Sequence, residues 1–327
     1  VSTTIDEARE RTHDPDVLLE VDAITKWFGK HLAVDEVSFC VNRGSVCGFI
    51  GPNGAGKTTT MRIAATLDLP DRGDVRVDGR SALLDPRGVR QRIGFMPDAY
   101  GTYTATTVAE YVDFFARAYG LRGKDRKRAI DAVTDFTGLA PLLEKPISGL
   151  SKGMKQRLCL AKTLLNDPLV LILDEPASGL DPRARVELRE LIRILADQGK
   201  AVLVSSHILT ELSEICDQVA VIEGGLIQAT GDLESLRAGA SGAKGTQVRA
   251  RFLADVEAAQ RFLAEQGSII GVRRERDALV FGFQGDEAGL ADLLARAVAA
   301  ELRPVEFHGE RIDLEDLFLH LTQGKLQ

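Results

Sequence analysis

Gly51-Pro52-Asn53-Gly54-Ala55-Gly56-Lys57-Thr58 runs on from the apolar stretch SVCGFI and leads into a helical pattern over residues 59–66. Glycines at this spacing let the backbone turn inward, so that its N–H groups and the helix N-terminus behind them surround phosphate oxygens. Lys57 has the length to reach β- and γ-phosphates, and the Thr58 hydroxyl suits Mg²⁺. Thr59 extends the binding set by one residue. A glycine-rich turn that merely precedes a helix is the plainer explanation. It does not account for strand, spacing, lysine and threonine together.

Working outward, LVLILDE over residues 169–175 is a second apolar run, ending in Asp174 and Glu175. A parallel strand delivers both carboxylates at its carboxyl end, where open α/β sheets bind ligands. Asp174 is expected to hold the Mg²⁺ water shell, and Glu175 to orient and polarise the attacking water. Alone, the pair reads as a solvated strand end; beside the loop it completes a P-loop nucleotidase. The runs SVCGFI, LVLILDE and AVLVSSH alternate with helical patterns over 108–119, 125–137, 152–165, 182–197 and 208–215. That alternation implies a wound, mainly parallel sheet and an α/β fold class. Period-2 patterning in VLLEVDAI, LAVDEVSFCV and DVRVDG adds a small antiparallel β subdomain. Residues 107–148 read as an all-helical insertion.

The composition shifts at RAGASGAKG, residues 237–245, which is expected to be a linker. Beyond it the order β-α-β-β-α-β predicts an α+β ferredoxin-like domain over 246–327. A last helix, residues 314–321, presents Leu314, Leu317, Phe318 and Leu321 on one face. Residues 1–16 are expected to be a flexible tail and 17–236 the nucleotide domain.

Bulk properties narrow the partners. A formal net charge of −7 argues against nucleic acid as the main partner. The apolar runs are strand-length, well short of the ~18 residues of a membrane helix. Residues 1–16 lack the apolar core of a signal peptide, so a membrane role is expected to be peripheral. Cys40, Cys47, Cys159 and Cys216 form no C-x-x-C motif and are expected to be buried, reduced thiols of a cytosolic protein.

Further stretches fix the family. Leu150-Ser151-Lys152-Gly153-Met154-Lys155-Gln156-Arg157 stands just ahead of the Asp174 strand, and Ser178-Gly179-Leu180-Asp181 follows it. His207 ends the AVLVSSH run, and Phe28-Gly29 precede the phosphate loop. In this order the chain resembles the ABC ATPases over residues 18–231. The resemblance makes LSKGMKQR the LSGGQ-type signature, SGLD the D-loop, His207 the switch histidine and Phe28 the adenine-stacking aromatic. A single histidine is more often structural, and the order of motifs overturns that prior. Trp27 is a rival stacker beside Phe28, which we favour for the role.

The signature opens a helix at Ser151, whose free N–H groups and positive dipole end suit an anion. The resemblance implies that this anion is the γ-phosphate of ATP held by a second copy. Ser151 and Gly153 then serve the opposite subunit of a homodimer. His207 joins Glu175 and Lys57 as a catalytic residue, with ATP and Mg²⁺ as the ligands. It also implies a separate permease and a peripheral place on the cytoplasmic membrane face. The combination of MPD, LSKGMKQRL and a C-terminal extension is similar to the export class, whose permeases carry about six membrane helices. Two positions depart from the pattern. Lys152 stands where glycine is commonest. Asp98 stands where the family places a glutamine near Mg²⁺, and either approaches the metal more strongly or sits too far back to touch it. The alternative is a soluble, non-transport ABC ATPase. Such proteins carry two nucleotide domains or long coiled coils, and this sequence has neither.

Overall fold

A computed structural model describes residues 14–98, 101, 105–206, 214–232, 246–253 and 255–310. The chain divides after Gly231 into two compact units. In the first, strands β1 (Val17–Phe28), β2 (His31–Asn42), β4 (Arg72–Val77) and β5 (Arg80–Ser81) form an antiparallel sheet in the order β2-β1-β4-β5. A second sheet holds β3 (Val46–Ile50), β6 (Ile93–Met96), β7 (Val170–Leu173), β8 (Ala201–Ser206), β9 (Gln218–Glu223) and β10 (Leu226–Asp232). Its order is β10-β9-β3-β8-β7-β6, and the pairs from β9 to β6 are parallel.

Burial explains the contrast between the sheets. Every residue of β3, β7 and β8 is buried, the signature of strands covered on both faces. One apolar core spans both sheets, joined where the Phe39 and Phe49 rings lie 5.2 Å apart. The sequence patterning does not declare β6, β9 and β10. IGFM in β6 is four residues long and lies among charged and turn residues, too short for periodicity to mark it.

The helices follow their local signals. Helix α1 (Lys57–Ala64) starts at the phosphate loop, and the short α2 (Pro86–Arg90) is capped by Asp85. Helix α3 (Val108–Ala118) begins at a reciprocal capping box. Thr107 Oγ1 accepts from the Glu110 N–H, and Glu110 Oε2 accepts from the Thr107 N–H at 2.8 Å. Helices α4 (Gly123–Phe136), α5 (Lys152–Leu164) and α6 (Pro182–Asp197) follow. Asp181 caps α6 and Pro182 occupies its first turn, where proline's missing N–H costs nothing.

The second unit contains β11 (Thr246–Phe252), α7 (Val256–Ala264), β12 (Ile269–Glu275), β13 (Ala278–Phe283), α8 (Glu287–Ala299) and β14 (Pro304–Glu310). The strand order β12-β13-β11-β14, antiparallel throughout, is that of a ferredoxin-like sheet. Val248, Phe281, Phe283, Leu263 and Leu293 anchor a core of its own.

The cysteine expectation needs correction. Cys47, Cys159 and Cys216 are buried, and burial pushes the Cys47 and Cys159 thiols up to about 12 and about 11. Cys40 is exposed, because alternation along β2 turns Phe39 and Val41 inward and Cys40 outward. The expected tail up to residue 13, the 237–245 linker, most of the 208–215 helix and the 314–321 helix lie outside the described residues.

Candidate functional site

The phosphate loop leaves β3 at its carboxyl end, and the carboxylates leave β7 at the same end two strands away, with β8 between them. The loop's geometry demands glycine at Gly56. Its φ is +104°, and a Cβ there would come within 2.7 Å of the Ala33 carbonyl oxygen. Lys57 opens α1 but turns back. Its buried ammonium donates to the Gly51 carbonyl at 2.7 Å and the Pro52 carbonyl at 3.2 Å, and lies 3.9 Å from Glu175 Oε1. Burial holds the Lys57 pKa below its ordinary value, while the Glu175 and Asp174 carboxylates pull it back up.

Phe28, Asn53, Gly54, Gly56, Lys57, Thr58, Thr59, Asp98 and Glu175 line one cleft of about 510 Å³. Phe28 is half exposed at its rim, at the end of β1, whereas Trp27 does not line it. Gly51 and Ala55 are buried in the loop's base, and Pro52 is exposed. Asp174 is buried behind the cleft rather than on its wall. Ser151 and Gly153 are not among the lining residues either. Ser151 caps α5, its Oγ accepting from the Met154 N–H at 3.2 Å, and the side chain is exposed. His207 lies outside the described residues.

Ser205, which the motifs do not single out, ties the site together. Its buried hydroxyl donates to Asp174 Oδ1 at 2.7 Å and accepts from the Glu175 N–H at 2.8 Å. The serine pair Ser205-Ser206 that ends an otherwise apolar buried strand is the available signal, because buried hydroxyls are held by partners. Glu175 itself has φ +49°, an uncommon conformation for a non-glycine residue that its surroundings must enforce. Ser205→Ala is expected to cost about 1–3 kcal/mol of stability by leaving a buried carboxylate oxygen short of a donor, read as a lower denaturant midpoint. His31 and Ser178 also line the cleft.

The donors present are oxygens: the Thr58 hydroxyl, Asp174 and, on the cleft wall, Asp98. Among the described residues no group of three or more His, Cys, Asp or Glu side chains could hold a metal by itself. A sparse, hard oxygen set suits Mg²⁺, which takes one or two carboxylates together with substrate phosphates.

Comparisons with known proteins point to one family. A family model described as "ABC transporter" matches residues 34–178. The chain is 32% identical over 311 residues to "Nod factor export ATP-binding protein I" of Ralstonia nicotianae, covering 95% of each chain. It is 34% identical to "Uncharacterized ABC transporter ATP-binding protein YxlF" of Bacillus subtilis, covering 94% of this chain and 100% of the relative. A solved structure described as "Structure of ATP binding subunit of ABC transporter" superposes with a TM-score of 0.62 at 31% identity. That match covers 68% of this chain and 93% of the other.

Proposed function

The chain belongs to the ABC transporter ATP-binding proteins, ATPases coupled to transport, and from that membership we propose how its residues divide the work. Phe28 stacks on adenine. The loop from Gly51 to Thr59 wraps the phosphates with backbone N–H groups, and Lys57 supplies the positive charge facing them. Thr58 would ligate Mg²⁺ with Asp98 as a second donor, and Asp174 would hold the water shell of the metal from behind the cleft. Bound there, Mg²⁺ neutralises charge on the β- and γ-phosphates. Glu175 aligns the attacking water and accepts its proton, and His207 helps to hold the glutamate and the water in line. Ser151 and Gly153, absent from this chain's own cleft, complete the site of a second copy, which makes the working unit a homodimer.

The observation that carries this reading is the placement of Lys57 and Glu175 3.9 Å apart in the cleft that the glycine loop encloses. Among the described residues no helix is long and apolar enough to cross a membrane. A separate permease of about six spanning helices, engaged at the cytoplasmic face, provides the path. The helical insertion over 107–148 is the element that moves against it as ATP closes the dimer. Export is the direction, the one named for the Ralstonia relative. Detergent-solubilised membranes from cells expressing the tagged chain are expected to yield it together with such a permease. Recovery of active ATPase from the soluble fraction alone would favour the soluble alternative.

A further inference from the structure

We propose that Gln156 is a positioning residue for Glu175, and that it ties the rate of each chain's own site to the helix that serves the opposite site. The inference rests on the roles given above to Glu175 and Ser151. Gln156 lies on α5 and is only 2% exposed. Its Nε2 donates to the Pro176 carbonyl at 2.6 Å, and among the described residues nothing partners its Oε1. Pro176 directly follows Glu175. The Glu175–Pro176 unit is therefore held on both sides, by Ser205 at the Glu175 N–H and by Gln156 at the Pro176 carbonyl. A residue at φ +49° relaxes toward ordinary backbone angles unless such contacts hold it. Both clamps act on backbone, so they fix where the carboxylate starts from without touching the reacting atoms.

The second half of the proposal follows from where Gln156 sits. It is five residues beyond Ser151 on one stiff helix, roughly 7.5 Å along the axis. The same helix end is fitted to the segment after Glu175 at two further points. A Cβ on Gly153 would come within 2.9 Å of the Ala184 Cβ, and the Lys152 ammonium lies against Gly179. A shift of the helix N-terminus on meeting the partner's ATP is thus carried to the peptide that aims this chain's own glutamate. A misplacement of about 1 Å at such a group costs up to ~10²-fold in rate.

The test uses full-length chains and Gln156→Met, which keeps the side chain's volume and removes its donor. As a homodimer it is expected to lose ~10-fold or more in kcat, with the KM for ATP changed by less than about twofold, since ATP contacts are intact. Mixed dimers then locate the effect. With Gln156→Met and Glu175→Gln on opposite chains, both glutamates are impaired and turnover should nearly vanish. With both changes on one chain, the other chain's site should keep its activity. Equal rates in the two arrangements, or the reverse order, would overturn the proposal, the reverse order meaning that Gln156 merely shapes the signature. Normal hydrolysis by the Glu175→Gln homodimer would instead remove the reading of Glu175 on which the proposal stands. Gln156→Leu gives the same readout if Gln156→Met does not accumulate as folded protein.

Discussion

Glu175→Gln is expected to bind ATP, to accumulate as an ATP-dependent dimer, and to release phosphate at least ~10²-fold more slowly than the native chain. The substitution keeps size and shape while removing the negative charge and the basic oxygen. The Ser205 contact is to the backbone N–H and survives the change, so the segment stays where it is. Lys57, 3.9 Å away, loses a counter-charge and becomes more available to phosphate. Binding should therefore hold or tighten while the chemical step fails. Phosphate release and light scattering at saturating ATP read the two effects separately. Turnover near the native rate would exclude Glu175 as the water-aligning group.

Lys57→Met is expected to act on binding instead, weakening ATP affinity by ~10²-fold or more, because a charge-assisted contact in a partly enclosed site is lost. Isothermal titration with ATP and Mg²⁺ measures it. Stability should change little, since the buried cation's desolvation disappears while the Gly51 and Pro52 carbonyls lose a donor. The pH dependence has a definite sign. Burial lowers the folded-state pKa of Lys57, so the unfolded chain binds this proton more tightly. Its contribution to stability therefore grows as pH rises from the folded-state value toward the ordinary lysine value of 10.5. The methionine variant should lack that slope. Affinity within a few-fold of native would mean that the backbone N–H groups alone carry the phosphates.

Much of the fold and the site is legible in the amino-acid sequence. Gly51 to Thr58, Asp174 and Glu175 stand out as candidates because phosphate chemistry would need those residue types at strand ends, and the apolar runs that mark β3 and β7 do end there. The helix starts are equally plain, since Asp181 and Thr107 are capping residues ahead of apolar periodicity. What escapes has a common cause. Ser205 and Gln156 make tertiary contacts spanning 30 and 20 residues of sequence, and apart from the place of Ser205 at the end of an apolar strand nothing local distinguishes them from other serines and glutamines. Cys40 passes for a buried thiol because its neighbours are apolar, although strict alternation in β2 turns it outward. The strands β6 and β9 gain their identity from the sheet they join rather than from their own short patterns.

The strand β8 acts as a spacer. The phosphate loop hangs from β3 and the carboxylates from β7, each one hydrogen-bonded step from β8. Adjacent strands stand about 4.7–4.9 Å apart, so the two halves of the site are roughly 9–10 Å apart at their roots. That interval is a gauge cut by backbone geometry, and no side-chain replacement rescales it. Drift in the surface and core of this unit can alter how firmly each group is aimed, but the calibre of the cleft is inherited from the sheet itself.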